Sequence, residues 1–224
     1  MHWVDRGPEP EQLARIHARY TPRWVRFYGS GTGRKPSDTR WREFSGDLAA
    51  AFHDLCAYCE ELCRGEVDHF RPKSRYPDPV YSWSNWLFAC HDCNHAKLDK
   101  WPPAGYVDPC ARSRTAHPER FFTYDTLTGE ILPKEDLSPS RYRKARQTID
   151  DLRLNEWHLR KRLVWLRLIS EIIPDDPAGM TPESEALRVH YCLRTTPFSS
   201  ITRGWLAERG HRADSPRGTD SPSG

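Results

Sequence analysis

Two Cys-x-x-Cys pairs constrain the fold of this chain more than any other feature of its sequence. The first pair is Cys56 and Cys59, and the second pair is Cys90 and Cys93. Four thiolates fill the tetrahedral coordination shell of zinc and leave no position for a substrate. The thirty residues between the pairs are enough for the chain to leave such a site and return to it. The pattern therefore predicts one structural Zn²⁺ site that ties together the two ends of a hairpin-like excursion.

A structural metal suits the composition of the chain. Of its 224 residues only 37% are hydrophobic and 29% are charged, which predicts a thin core. The net charge of +3 is too small to identify a partner. The remaining cysteines have no Cys-x-x-Cys partner and are interpreted as ordinary core or surface thiols: Cys63, Cys110 and Cys192.

The secondary-structure pattern places helices at both ends of the chain and a cysteine-rich, aromatic-rich segment between them. Strand-like stretches at residues 65–70 and 86–89 precede a short helix at 94–100, and residues 121–132 have the pattern of a β-hairpin. Residues 11–19, 141–152 and about 183–193 are predicted helices, and Asp38 and Asn155 are predicted caps of two more. Residues 23–35 have the pattern of a loop or arm.

These elements predict an α+β, mostly helical fold. We expect a helical segment over residues 1–55, a core unit over 56–110, and a hairpin with further helices over 111–206. Residues 207–224 contain little to bury and are expected to be disordered. No apolar run approaches the roughly 18 residues of a membrane span, and the N-terminus lacks the apolar segment of a secretory signal. The expected location is therefore the cytoplasm, where clustered cysteines bind metals more often than they form disulfides.

An Asp-His pair lies between the two cysteine pairs, at the end of the first predicted strand. Asp68 offers the hard carboxylate oxygens that Mg²⁺ or Mn²⁺ prefers, and His69 has an ordinary pKa suited to proton transfer near neutral pH. Such a dipeptide by itself is usually structural, but its position between the zinc pairs favours a catalytic interpretation. Other histidines are interpreted as surface or satisfied core residues: His53, His91, His117, His158 and His190.

The chain resembles the HNH endonucleases, which build their site on a ββα-metal fold. The resemblance rests on an ordered set of residues: Cys56-x-x-Cys59, Asp68-His69, Asn85, Cys90-x-x-Cys93-Asn94 and Lys97. It implies a small zinc-stapled ββα-metal core between the N- and C-terminal helices. It also implies that His69 is the general base, that Asp68 beside it binds a catalytic cation, and that Asn85 orients the loop that carries the base.

The resemblance further implies how the cation and the substrate are held. Asn94 takes the final motif position as second ligand of a catalytic Mg²⁺ or Mn²⁺, and His95 next to it is the alternative ligand. Phosphate groups of DNA would be held by Lys97 together with Arg71 and Lys73. The products would carry 5′-phosphate and 3′-hydroxyl ends. If the pKa of the catalytic histidine keeps its ordinary value near 6.5, activity should fall below that pH.

A narrower resemblance covers about half of the chain. Residues 55–168 are similar to HNH subunits encoded beside ATPases in retron-associated and Septu-type phage-defence systems. The similarity includes Tyr58-Cys59-Glu60, the run from Asp68 to Lys73, and Asp108-Pro109. It implies an ATPase partner. Residues 29–35 lack the spacing of a phosphate-binding P-loop, so a requirement for ATP would need a second protein.

Two further interpretations stay open at this level. Residues 140–168 carry nine Lys or Arg residues against three Asp or Glu residues, a balance typical of a phosphate-binding surface or of a solvated basic helix. The alternative to an enzyme is a non-catalytic zinc module that binds nucleic acid or a partner protein. Retention of Asp68, His69, Asn85 and Asn94 in that order argues against the alternative, because a binding module requires none of them.

Overall fold

The computed structural model describes residues 1–212 of the chain. Most of the tail that was expected to be disordered, residues 207–224, lies outside the described residues, although its first residues complete the last helix. No helix in the described part is long and apolar enough to cross a membrane. Within residues 1–212 the regular elements are, in order, α1 Leu13–Ser30, α2 Ser45–Ala51, β1 Glu66–His69, β2 Trp86–Ala89, α3 His91–Lys97, β3 Phe122–Tyr124, β4 Ile131–Pro133, α4 Pro139–Asp151, α5 Leu159–Ile172, α6 Pro182–Cys192 and α7 Ser199–Glu208.

The strands β1 and β2 and the helix α3 form the centre of the molecule. β1 and β2 pair antiparallel, with Glu66 opposite Ala89 and His69 opposite Trp86. Every residue of β2 is buried, because α2 and α3 lie on the sheet and neither face of β2 meets water. α3 begins directly after β2, at Cys90. The mostly helical α+β fold with a small ββα centre is thus confirmed.

Helix α1 is longer than its sequence pattern predicts. The expected loop or arm at residues 23–35 is wrong for residues 23–30, which continue the helix. Trp24 is buried, and its indole Nε1 donates a hydrogen bond to Asp38 Oδ1 at 3.0 Å. Tertiary packing therefore holds this segment helical despite Pro22 inside it, since propensity is a weak preference that contacts override. The helix ends at Gly31, whose φ of 64° is left-handed.

Neither predicted capping residue caps a helix in the structure, and both form other hydrogen bonds. Asp38 precedes a 3-10 helix, Arg40–Phe44, that has no side-chain cap. Its carboxylate instead accepts hydrogen bonds from Trp24 and Tyr81. Asn155 likewise does not cap α5. Its side-chain carbonyl accepts from the Ile131 backbone N–H and its amide donates to the Ile131 carbonyl, both at 2.9 Å.

One hydrophobic core extends across the segments that the sequence divides. Its buried members run from Met1 to Leu154 after α4, and Trp86 lies in it with no exposed surface. Phe44 contacts the Trp86 ring in a tilted arrangement, with a centroid separation of 5.6 Å. A second, smaller core joins α5, α6 and α7 around Trp205. The central ββα unit is therefore enclosed by both ends of the chain.

Candidate active site and metal centre

The four paired cysteines meet at one point, as the sequence predicts. Their Sγ atoms all lie within 4.8 Å of one another, and all four side chains are buried. Cys59 Sγ lies 3.8 Å from Cys90 Sγ. Tetrahedral zinc with Zn–S bonds near 2.3 Å requires sulfur separations of about 3.8 Å, so the cluster fits a structural zinc ion. Cys56 and Cys59 follow α2, whereas Cys90 is the N-cap of α3 and Cys93 lies in its first turn.

His158 adds a second layer to this centre that the sequence does not reveal. Its side chain is completely buried, with Nε2 3.4 Å from Cys93 Sγ and Nδ1 3.2 Å from Glu61 Oε2. The residue stands directly before α5, 65 positions after Cys93. Sequence analysis classed it as an ordinary core or surface histidine. No local pattern marks it, because its role arises only where α5 meets the cysteine cluster.

His69 is held in one orientation at the end of β1. Its Nε2 lies 2.9 Å from the Val80 carbonyl oxygen. A carbonyl oxygen only accepts, so Nε2 carries the proton and Nδ1 of the neutral ring is the basic atom. Trp41 contacts the imidazole edge to face, at 4.8 Å between centroids. Burial, with positive charge on Lys73 and Lys97, lowers the pKa of His69 to about 3, so the ordinary value assumed from the sequence does not hold.

Asp68 is the buried neighbour of His69 and accepts two strong hydrogen bonds. Its Oδ2 accepts from the Tyr58 hydroxyl at 2.6 Å, and its Oδ1 accepts from Lys97 Nζ at 2.8 Å. Lys97 Nζ also donates to the His69 carbonyl at 2.7 Å, and the lysine has no exposed surface. This position does not suit the phosphate contact predicted for Lys97, because the ammonium faces protein and neutralises Asp68. Tyr58 was quoted in the sequence only as part of a resemblance, without this role.

The side chain of Asn85 holds the loop that follows β1 through hydrogen bonds. Its Oδ1 accepts from the Arg71 backbone N–H at 2.8 Å, and its Nδ2 donates to the carbonyls of Arg71 and Pro79 at 3.1 and 3.2 Å. The backbone carbonyl of Asn85 also accepts from the Phe70 N–H at 2.8 Å. The amide thus joins three chain segments close to His69, a geometry that agrees with a positioning role.

A cavity of about 840 Å³ opens beside His69. Asp68, Asn94 and His95 line its wall together with Lys73. The Arg71 side chain instead lines a smaller neighbouring cavity, where its guanidinium lies 5.9 Å from the Tyr76 ring centroid. Four of the six predicted non-cysteine ligand and phosphate residues therefore line the cavity with His69, whereas Arg71 and Lys97 do not line it.

The rim of the cavity carries a small polar network at the start of α3. Glu66 accepts from the Asn94 amide at 2.8 Å and lies 3.1 Å from His91 Nδ1. His91 stacks on His95, with 5.6 Å between their centroids. Neither Glu66 nor His91 was predicted to belong to the site. Their only signal in the sequence is their position, one or two residues from a motif residue.

The wall of the cavity offers oxygen donors for a hard cation. Asp68 and Asn94 both line it and carry side-chain oxygens of the kind that Mg²⁺ prefers, although both Asp68 oxygens already accept hydrogen bonds from Tyr58 and Lys97. Among residues 1–212, clusters of three or more His, Cys, Asp or Glu ligand atoms are found only around the cysteines and His158. A catalytic cation at this wall would therefore share its coordination shell with water and substrate oxygens.

Comparison with known proteins agrees with this geometry. Residues 56–100 match the family model described as HNH endonuclease. The chain is also 33% identical over 176 residues to Septu protein PtuB of Bacillus thuringiensis, which covers 74% of this chain. The matched part spans 58% of the length of that relative. The four zinc-fitting cysteines, the β1–β2 pair and His69 itself thus lie in the segment, residues 56–100, that belongs to the HNH endonuclease family.

Proposed function

We propose that this protein is a metal-dependent endonuclease that hydrolyses phosphodiester bonds of DNA. The observation that carries the proposal is the orientation of His69 within the family segment. Its Nε2–H is committed to Val80, so the unprotonated Nδ1 is the basic atom of a ring that lines the cavity. A module that only binds nucleic acid has no need of a histidine held in one tautomer.

The residues of the cavity divide the chemistry between them. Nδ1 of His69 takes a proton from water, and the water oxygen attacks the phosphorus in line with the departing 3′ oxygen. Asn85 keeps the loop beside His69 in place, and Lys73 places positive charge at the cavity wall. A divalent cation held by Asp68 and Asn94, or by His95 in place of Asn94, would neutralise charge on the phosphate and on the leaving oxygen. The products then carry 5′-phosphate and 3′-hydroxyl ends.

DNA as substrate and an ATPase as partner belong to the same proposal. The cavity lining includes Lys35, Arg42 and Lys73, whose positive charges can contact phosphate groups, alongside the acidic residues Glu66, Asp68 and Asp99. Similarity to Septu protein PtuB supports a nuclease effector of anti-phage defence that works with an ATPase subunit. A cytoplasmic location suits both the substrate and the reduced cysteine cluster.

Plasmid cleavage tests the proposed activity. Purified protein incubated with supercoiled plasmid and Mg²⁺ or Mn²⁺ should produce nicked or linear DNA, and EDTA should prevent it. His69→Ala should lower the cleavage rate by at least about a hundredfold, the range for loss of a general base. Zinc content and the circular dichroism spectrum are measured in parallel to show that the variant is folded.

The matched control is His190→Ala, because His190 is exposed and lies outside the cavity. It should cleave like the wild type. Cleavage by His69→Ala at the wild-type rate would show that another group activates the water. If the wild type cleaves only when a purified ATPase partner is added, the nuclease assignment stands and its dependence on the partner is established.

A further inference from the structure

Helix α1 carries a row of exposed arginines, and it lies outside the family segment. They are Arg15, Arg19, Arg23 and Arg26, and α1 contains no acidic residue. On an ideal helix these positions fall within an arc of about 80° and extend over roughly 16 Å. We refer to these four side chains as the arginine ridge.

The positive charge of the arginine ridge is not neutralised within the described part of the protein. None of its four guanidinium groups has a carboxylate partner among residues 1–212, whereas nearby Arg40 pairs with Glu43 at 2.9 Å. Arg19 and Arg23 lie beside the ring of Tyr20, at 5.5 and 5.8 Å from its centroid. Two of the ridge arginines therefore contact Tyr20, and all four are exposed and can contact a polyanion.

The ridge is connected to the His69 cavity through the same helix. Tyr28, in the last turn of α1, and Lys35, just after it, both line the cavity. α1 also packs against the 3-10 helix Asp78–Tyr81, which supplies the Val80 carbonyl that holds His69. On an ideal helix Tyr28 lies about 180° around α1 from the centre of the arginine ridge, so the ridge and the cavity-lining side of α1 face different directions.

We propose that the arginine ridge is a docking surface for duplex DNA, on the same helix that contributes Tyr28 to the cavity wall. This inference rests on the proposed nuclease function and adds the surface that selects the substrate. Duplex DNA presents one negative charge per about 1.7 Å of its axis, so a straight ridge of this length meets several phosphates.

The side chains between the arginines favour a duplex over other polyanions and over a membrane. Ala18 and Pro22 are exposed and short, so a rigid backbone can approach the helix closely. The outer face of α1 offers no aromatic platform for stacking the bases of a single strand. The apolar face of α1 is already buried at Leu13 and Trp24, which leaves nothing to insert into a lipid surface.

Binding of the full-length, zinc-loaded protein to a labelled 30-base-pair duplex tests the proposal. Fluorescence anisotropy is measured without added divalent cation, so that binding is observed apart from cleavage. The ridge variant combines Arg15→Gln, Arg19→Gln, Arg23→Gln and Arg26→Gln. Its Kd should rise at least about tenfold at 0.1 M salt, and the slope of log K against log salt should fall by about 3 to 4, the loss expected for four phosphate contacts.

The control variant removes the same charge from the rival basic stretch, at four exposed positions of α4 and α5: Arg143→Gln, Arg146→Gln, Arg160→Gln and Arg167→Gln. It should bind within about threefold of the wild type, with its salt dependence nearly unchanged. Both variants should keep the wild-type Tm, since all eight side chains are exposed.

Unchanged duplex affinity in the ridge variant would overturn the proposal, and so would a larger loss in the control variant than in the ridge variant. An acidic protein as the true partner of the ridge would also appear as unchanged duplex affinity. Ridge-dependent binding, with no plasmid cleavage even when Mg²⁺ or Mn²⁺ and the ATPase partner are both present, would refute the nuclease function and leave the docking surface in place. Cleavage with ridge-independent binding would refute the docking surface alone.

Discussion

At the scale of single residues, the site depends on which charges the protein buries together. His69 is 6% exposed, and positive charge on Lys73 and Lys97 opposes its protonation in addition to burial. Asp68 next to it keeps its negative charge compensated, because Lys97 and Tyr58 both donate to it. The pair therefore combines a neutral imidazole with a charge-compensated carboxylate.

Replacing His69 with Gln should change how stability depends on pH. The folded pKa near 3 lies below the unfolded value of 6.5, so between these values the unfolded chain binds more protons and stability rises with pH. This contribution is complete above pH 6.5 and is lost progressively as the pH falls toward 3. From pH 7.5 to 5.5 the wild type should therefore lose about 1.4 kcal/mol more unfolding free energy than His69→Gln.

Urea unfolding at the two pH values measures this difference, and subtraction of the variant removes the contribution of zinc loss in acid. His190→Gln, which changes an exposed histidine, serves as the control and should follow the wild type. Parallel losses for His69→Gln and the wild type would show that His69 protonates equally in both states.

At the scale of elements, the cysteine cluster joins parts of the chain that are far apart in sequence. His158, at the start of α5, contacts Cys93 in α3 and Glu61 in the turn after the first cysteine pair. Lys161, one turn into α5, also contacts Glu61. The beginning of α5 is thus fixed to the metal centre by polar contacts.

Replacement of His158 with Ala should weaken zinc binding without changing its stoichiometry. Groups that contact metal ligands typically contribute a factor of about 10 to 100 in metal affinity. Competition with a chromophoric chelator measures the affinity, and the zinc content should remain one ion per chain at saturation. His117→Ala, which removes a histidine distant from the cysteines, is the control. Equal zinc affinity of His158→Ala and the wild type would mean that the Cys93 contact contributes nothing to the site.

At the scale of the whole molecule, the family segment depends on the chain that surrounds it. Trp41 covers His69, and Phe44 covers Trp86, although both covering residues precede residue 56. On the other side, Trp101, which follows residue 100, contacts Phe70 edge to face with 5.2 Å between centroids. The ββα unit therefore shares one core with the helices before and after it.

A peptide of residues 56–100 should bind zinc and yet lack cooperative folding. Without its surroundings the peptide would expose Tyr58, Trp86 and Leu87, which are completely buried in the full chain. Each such side chain contributes about 1.5 to 3 kcal/mol when buried, so their exposure removes most of the stability of a small domain. Thermal unfolding by circular dichroism should show a sharp transition for residues 1–212 and none for the zinc-loaded peptide. A sharp transition in the peptide would show that the family segment is an independent domain.

The sequence by itself determined the parts of this protein that depend on spacing and local chemistry. Two Cys-x-x-Cys pairs predict one thiolate cluster because each pair already faces a common point. The strand-like stretches at residues 65–70 and 86–89 locate β1 and β2 within one residue of their observed limits. The family resemblance adds the candidate roles of His69 and Asn85, which are carried by the order of motif residues.

Only the tertiary structure decided what depends on contacts between distant segments. The path of α1 beyond residue 22 follows from the burial of Trp24, and the pKa of His69 follows from charges and burial that no local pattern encodes. Lys97 turns inward because the buried carboxylate of Asp68 needs a countercharge, and His158 meets the cysteines because α5 packs against them. Spacing is a property of neighbours along the chain, whereas desolvation and ion pairing are properties of neighbours in space. For that reason the sequence predicted which residues form the site but not their charge states.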